Sequence, residues 1–409
     1  MKYPSHPLLA AALVAISSCP RAQDPVQQRL DRLEQQNAEL RRQVLGLGED
    51  LERLRTEPLP ATGGGTTGAA SLGGYGEFVF TQRSGQTDVF DALRTVLYVG
   101  YRFDERWRFQ SEIEVEHGST TANSGTSTSA GEVGVEFAWL EYRACEALWL
   151  RAGVQLAPLG LVNENHEPIA FLPVARSQTE TRIIPTTWRE PGVAAGGELG
   201  AFEWKTAALV GFDGEDFDAS GLRGGRQKGN RDAADDFGFA ARLDWRHDHG
   251  LFGGAVWHGR SGQDNRAGSV RIPDLTTTIV ELHADLRHER WQLRALWANA
   301  FVPDAGRFAA ATGKALGDQL SGVYVELGYD IAPWLCRDTA SKLQPFVRAE
   351  YIDSQAQLPG GAVRDRRQRD EILTFGVSWQ PMPKIAIKVD YESWDHDPDR
   401  LNVGFGYVF

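Results

Sequence analysis

From Leu72 to Phe409 the chain alternates apolar and polar side chains with period two, again and again. That period puts successive side chains on opposite faces of an extended strand. Sixteen strands are predicted: 72–81, 92–103, 107–116, 132–143, 147–156, 191–199, 202–212, 235–246, 250–259, 276–287, 290–301, 320–331, 343–353, 370–380, 383–393 and 399–409. In 92–103, Leu93, Leu97, Val99, Tyr101 and Phe103 oppose Arg94, Tyr98, Gly100 and Arg102. In the terminal run LNVGFGYVF, Leu401, Val403, Phe405, Tyr407 and Phe409 oppose Asn402, Gly404, Gly406 and Val408. Small and polar residues behind an apolar face suit a strand with lipid outside and a lumen inside.

The connections alternate as well. Short turns follow strands 2, 4, 6, 8, 10 and 14, and most other connections are long. This predicts an all-β fold, a 16-stranded antiparallel transmembrane β-barrel over residues 72–409. A soluble sandwich or propeller would bury its apolar faces in a shared core, and no further element remains here to cover them. Trp107, Trp139, Tyr142, Trp204, Trp245, Trp291, Tyr351, Trp379 and Tyr391 fall near strand ends, where aromatic girdles are expected.

Three segments precede the barrel. Residues 1–22 read as a signal peptide, with Lys2 before an apolar stretch from Leu8 to Ile16. The run ending at Cys19 loosely resembles a lipoprotein box, an alternative in which Cys19 is acylated. Residues 24–57 carry a seam spaced four and three. Leu30, Asn37, Val44 and Leu51 fall at a, and Val26, Leu33, Leu40, Leu47 and Leu54 at d, so a short α-helical coiled coil is predicted. Residues 58–71 form a Gly/Pro-rich linker.

Composition narrows the function. A net charge of −12 argues against a general nucleic-acid binder. No G-x-S-x-G or H-E-x-x-H motif appears, so no enzyme is expected, and no cofactor or metal. Asp216, Asp218 and Ser220 begin like a calcium loop, but the twelfth position is Gln227. Cys145 and Cys336 lie in turns eight strands apart, too distant for a disulfide.

The longest loop, 157–190, is too apolar for water, with Ile169, Phe171, Leu172, Ile183 and Ile184. Folding it against the inner wall would hide these residues. It would also bring Glu164, His166, Glu167, Arg176, Glu180, Arg182, Arg189 and Glu190 to a constriction. The wall itself is expected to carry Arg94, Arg102, Arg108, Glu112, Glu114, Arg151, Arg242, Glu281, Arg294, Glu326 and Arg348. Facing acids and bases sort solutes by charge.

The stretch from Leu150 to Glu190, with R-x-G at Arg151, PLGLVNENHEP and RIIPTTWRE, resembles porins of the phosphate-selective O/P type. The terminal LNVGFGYVF resembles the signal by which the barrel-assembly machinery reads bacterial outer-membrane proteins, with Phe409 in that role. The resemblance implies a third loop folded into the barrel. Members selective for phosphate are expected to carry an arginine ladder. The mixed inner face here matches no ladder position, so none is carried over. The expected protein is an outer-membrane porin, with no nucleic acid among its partners, that passes small hydrophilic solutes or ions by diffusion. Its expected partners are outer-membrane lipid, two further copies in a homotrimer and the assembly machinery. The coiled coil would lie in the periplasm and either tie three barrels together or reach toward the cell wall. The alternative is a structural tether, with the barrel as anchor and the coiled coil binding the wall or a partner.

Overall fold

The structure, a computed structural model, describes residues 69–121, 130–267, 270–335 and 340–409. The signal peptide, the coiled coil with its seam from Leu30 to Leu54, Cys19 and Cys336 lie outside the described residues. So does most of the linker, whose last residues, 69–71, instead open the first strand.

Sixteen strands close a barrel. In chain order they are β1 Ala69–Arg83, β2 Val89–Arg102, β3 Trp107–Glu116, β4 Val133–Cys145, β5 Leu148–Leu156 and β6 Arg189–Leu199. Next come β7 Phe202–Val210, β8 Phe237–His247, β9 Gly250–Arg260, β10 Thr276–His288 and β11 Trp291–Phe301. The last are β12 Gln319–Tyr329, β13 Lys342–Gln357, β14 Arg369–Met382, β15 Ile385–Trp394 and β16 Arg400–Val408. Each pairs antiparallel with its sequence neighbours, and β1 pairs with β16, Tyr75 opposite Val408 and Arg83 opposite Arg400. Closure leaves no free sheet edge.

The faces divide as the alternation requires. Leu97, Val99, Phe239, Leu282, Leu373, Val403 and Phe405 point outward and are exposed, as part of a continuous apolar belt. Glu77, Arg94, Glu114, Asp244, Glu281, Arg294, Glu326 and Arg348 point inward and are buried. The final strand shows why its inner side is small. A Cβ on Gly406 would stand 2.3 Å from the Pro168 Cβ, and one on Gly404 would meet the Val174 side chain at 3.1 Å. The glycines make room for the third long loop.

One strand breaks the expected parity. Glu112 pairs with Phe137 and Ile113 with Val135, so Glu136 is an extra residue in β4. Such a bulge re-aims the side chains beyond it. Trp139, expected in a girdle, is therefore carried inward, 6% exposed, with the Arg151 guanidinium 4.2 Å from its ring centroid. Trp107, Trp245, Trp291 and Trp379 do remain exposed on the outer face.

The barrel is filled on one side. Leu159, Leu161, Ile183, Ile184 and Trp188 of the third long loop pack on inward-facing Leu209, Trp257, Ile279, Leu296 and Leu320. Phe212, Phe217 and Leu222 of the loop between β7 and β8 join this core, as does Phe308 from a short helix, α1 Ala305–Thr312. A second short helix, α2 Ala332–Leu335, lengthens the turn between β12 and β13. Cys145 is a free, exposed thiol.

Candidate channel interior

The segment between β5 and β6 runs across the interior and is held by the wall at many points. Gly160 N–H donates to Glu281 on β10 at 3.3 Å, and the Arg242 guanidinium on β8 donates to the Gly160 carbonyl. Further along, Glu350 on β13 accepts from Thr179 N–H at 2.6 Å and from its hydroxyl at 2.8 Å. The Lys388 ammonium on β15 donates to the Pro173 carbonyl at 2.9 Å and sits 4.0 Å from the Phe171 ring centroid. Arg348 donates to the Ala175 carbonyl at 3.2 Å. A loop whose carbonyls and amides are met by charged wall residues cannot swing out without stranding them.

Gly406 gives a direct check on this packing. Gly406→Val is expected to push Pro168 off the wall and to weaken the loop's seat while β16 still pairs. Limited proteolysis should then cut between residues 157 and 188 in the variant and spare the parent.

The expected constriction residues do different jobs. Glu180 is wholly buried, and its carboxylate accepts from Leu161 N–H at 2.9 Å, Val162 N–H at 2.7 Å and the Tyr324 hydroxyl at 2.7 Å. It braces the loop instead of facing open space, because three donors converge on it in the core. Glu180→Ala strands those donors, and a loss on the order of 3 kcal/mol is expected in denaturant unfolding. Glu190 is also buried and takes the Trp188 indole N–H at 3.2 Å. Arg189 opens β6, 5% exposed, and faces Glu136 at 3.3 Å and Glu132 at 3.2 Å.

Glu164 and Glu167 are partly exposed, the first 2.9 Å from the Lys205 ammonium, the second accepting from the Tyr98 hydroxyl at 3.1 Å. Arg176 and Arg182 are half-buried; Arg176 donates to the Thr187 hydroxyl at 2.8 Å. His166 is 1% exposed, between Glu136 at 2.9 Å and Glu112 at 3.3 Å. Burial pulls its imidazolium down, but the Glu136 and Glu112 carboxylates outweigh this and lift it to about 10.

The wall residues form compensated groups. Arg94 meets Glu77 at 3.1 Å and Glu114 at 3.9 Å, while Arg108 and Arg151 clamp Glu141 at 2.7 and 2.6 Å. Arg242 pairs with Asp244 at 2.9 Å, and His283 bridges Asp244 at 3.0 Å and Glu281 at 2.8 Å. Arg294 pairs with Asp285 at 2.7 Å, and Arg348 lies between Glu350 at 3.9 Å and Glu326 at 4.0 Å. Arg102 has the inward parity but sits exposed at the barrel end.

Two residues outside the predicted set complete the interior. Arg223 and Arg226, from the loop between β7 and β8, reach over to the third loop. Arg223 donates to the Thr186 carbonyl, and Arg226 to the Thr187 carbonyl at 2.6 Å. Burial, then repulsion from Arg226 and Arg176, pushes Arg223 down to about 9, and burial followed by Arg189 pushes Arg226 down to about 10. Both therefore remain cationic at neutral pH. The only sequence signal for them is the GLRGGR run, which lies beside the calcium-like Asp216 and Asp218. Asp218 instead closes a tight turn, accepting from Ser220 N–H at 2.8 Å and its hydroxyl at 2.6 Å.

The closed sixteen-stranded barrel defines a fold, and solved structures are similar to it. OmpT, an outer membrane protein of Vibrio cholerae solved in a trimer form, is similar over 84% of this chain and all of that one, at a TM-score of 0.55 and 10% identity. DcaP, an outer membrane channel of Acinetobacter baumannii, is similar over 86% of this chain and all of that one, at a TM-score of 0.53 and 14% identity. No protein-family model matches this chain. It is 32% identical over 346 residues to an uncharacterized protein of Aquifex aeolicus (strain VF5), covering 81% of this chain and 77% of that protein. The chain belongs to the same family as that Aquifex protein.

Proposed function

We propose that this protein is an outer-membrane porin, a water-filled channel for passive diffusion of small hydrophilic solutes or ions. The observation that carries this reading is the inverted barrel, with an exposed apolar belt outside and buried charge inside. An exposed belt of that extent needs lipid against it. A barrel of sixteen strands is wide enough to leave an aqueous passage unless something fills it. The third loop fills one side with a dry core and leaves its charged edge over the other.

The passage then runs beside the loop's polar edge. Arg176, Arg182, Arg223 and Arg226 lie toward it from the loops. Glu116 on β3, with Glu132 beside β4, supplies opposite charge. This arrangement sets up a transverse field that sorts by charge while the loop sets the size limit. A homotrimer accords with the trimeric Vibrio protein of the same fold. The predicted coiled coil over 24–57 would join the copies on the periplasmic side, and Phe409 would serve as the assembly signal.

Liposome swelling tests the reading. Vesicles carrying the protein are expected to swell fast in arabinose and progressively more slowly in larger sugars. Vesicles that swell no faster than protein-free controls in any of these sugars would sink it.

A further inference from the structure

The third loop meets the wall through a cluster that neither the packing nor the channel reading uses. Glu112 on β3, Glu136 at the β4 bulge and His166 on the loop are each 1% exposed. One donor atom from each lies within 4.8 Å of the others. His166 Nε2 stands 2.9 Å from Glu136 Oε2 and 3.3 Å from Glu112 Oε1. On the far side of the ring, Nδ1 is 3.0 Å from the Asn163 carbonyl. A carbonyl accepts only, so Nδ1 carries the proton and Nε2 is aimed at the two carboxylates. That outer hydrogen bond is the usual orienting contact of a metal-bound histidine. The carboxylates are braced too, Glu112 by the Tyr75 hydroxyl at 3.3 Å and Glu136 by Arg189 at 3.3 Å.

Two further observations point to a cation. Glu136 Oε2 is buried and turned into the cluster, where His166 Nε2 is its contact at 2.9 Å. The surroundings also hold excess negative charge. Glu77, Glu112, Glu114 and Glu136 are buried here with Glu167 at the edge, against Arg94, Arg176, Arg189 and the His166 imidazolium. A divalent ion in place of the proton on Nε2 adds the one positive charge that balances the five carboxylates.

We propose that Glu112, Glu136 and His166 bind a divalent first-row transition cation that pins the third loop to β3 and β4. One imidazole nitrogen and two carboxylate oxygens form a donor set that zinc accepts, with water completing four-coordination. Ligand bonds of about 2.0–2.1 Å in a tetrahedron put donors about 3.4 Å apart. The present spacings therefore need only a small opening. The cation takes the place of any proton on Nε2, which leaves to solvent. The bulge is essential, since without it Glu136 would not face Glu112 and the loop.

Zinc retention by the full chain in detergent, stripped with EDTA, desalted and given excess Zn²⁺ before a second desalting, tests the site. The parent is expected to hold one zinc per chain, and Glu136→Gln and His166→Gln to hold none. His249→Gln is the control, because His249 lies in an exposed turn beside His247 and His288, whose ring centroids are 6.0 and 4.8 Å away. That variant should keep its zinc. A parent that retains none, or zinc that survives in the first two variants or disappears in the third, overturns the site. Should the core variants fail to fold, anomalous diffraction at the zinc edge from parent crystals locates the ion. A peak between His166 and Glu136 supports the site, and a peak elsewhere or none overturns it. None of these readouts depends on whether the barrel conducts.

Discussion

Trp188→Ala is expected to free the third loop while leaving the barrel closed. Trp188 is wholly buried, its ring stacked on Phe212 at 4.4 Å between centroids and set edge-on to Trp257 at 4.7 Å. Truncating such a side chain costs about 3–5 kcal/mol. The Ala157 N–H donates to the Trp188 carbonyl at 3.0 Å and the Trp188 N–H donates to Asn163 Oδ1 at 2.7 Å, which closes the neck of the loop, so the lost packing falls on its hinge. The strand ladder does not pass through this residue's side chain. Hydrogen exchange should therefore quicken across residues 157–188 by roughly two to four orders of magnitude, the equivalent of that energy, and hardly change in β12–β16. Uniform acceleration over the strands would mean that the loop and barrel unfold as one unit.

The second large effect concerns charge. Arg223→Gln with Arg226→Gln keeps donors near the Thr186 and Thr187 carbonyls but removes two cations from the proposed passage. At about 8 Å in water each charge is worth about 0.5 kcal/mol to a passing ion, so the pair is worth about 1 kcal/mol, or roughly fivefold in permeability ratio. Lower dielectric raises that figure and salt reduces it. Reversal potentials in a dilute potassium chloride gradient should shift toward cation preference. An unmoved potential would place the conducting path away from these residues.

Much of this architecture was legible in the alternation. All sixteen segments matched strands, because a barrel strand shows its two environments in every second residue. The parity of β4 was not legible, since one extra residue, Glu136, turns Trp139 inward without changing the look of the pattern. The loop's inward fold was foreshadowed by Ile183, Ile184 and their neighbours, which need a dry partner. Which charges it presents was not. Glu180 reads like any loop carboxylate until Tyr324, 144 positions later, is found to donate to it. Arg223 and Arg226 belong to a different loop, and only the fold brings them to Thr186 and Thr187. The same holds for Glu112, Glu136 and His166, which lie on three separate segments.

Single-channel recording from the full chain in a planar bilayer tests the central claim most directly, that the space beside the third loop is an open passage. The account predicts steady ohmic steps, arriving in threes if the protein is trimeric, and larger steps from Trp188→Ala. Correctly folded protein that inserts without conducting, while Trp188→Ala conducts, would contradict it: the loop would then seal the barrel, and an anchoring role would take the channel's place.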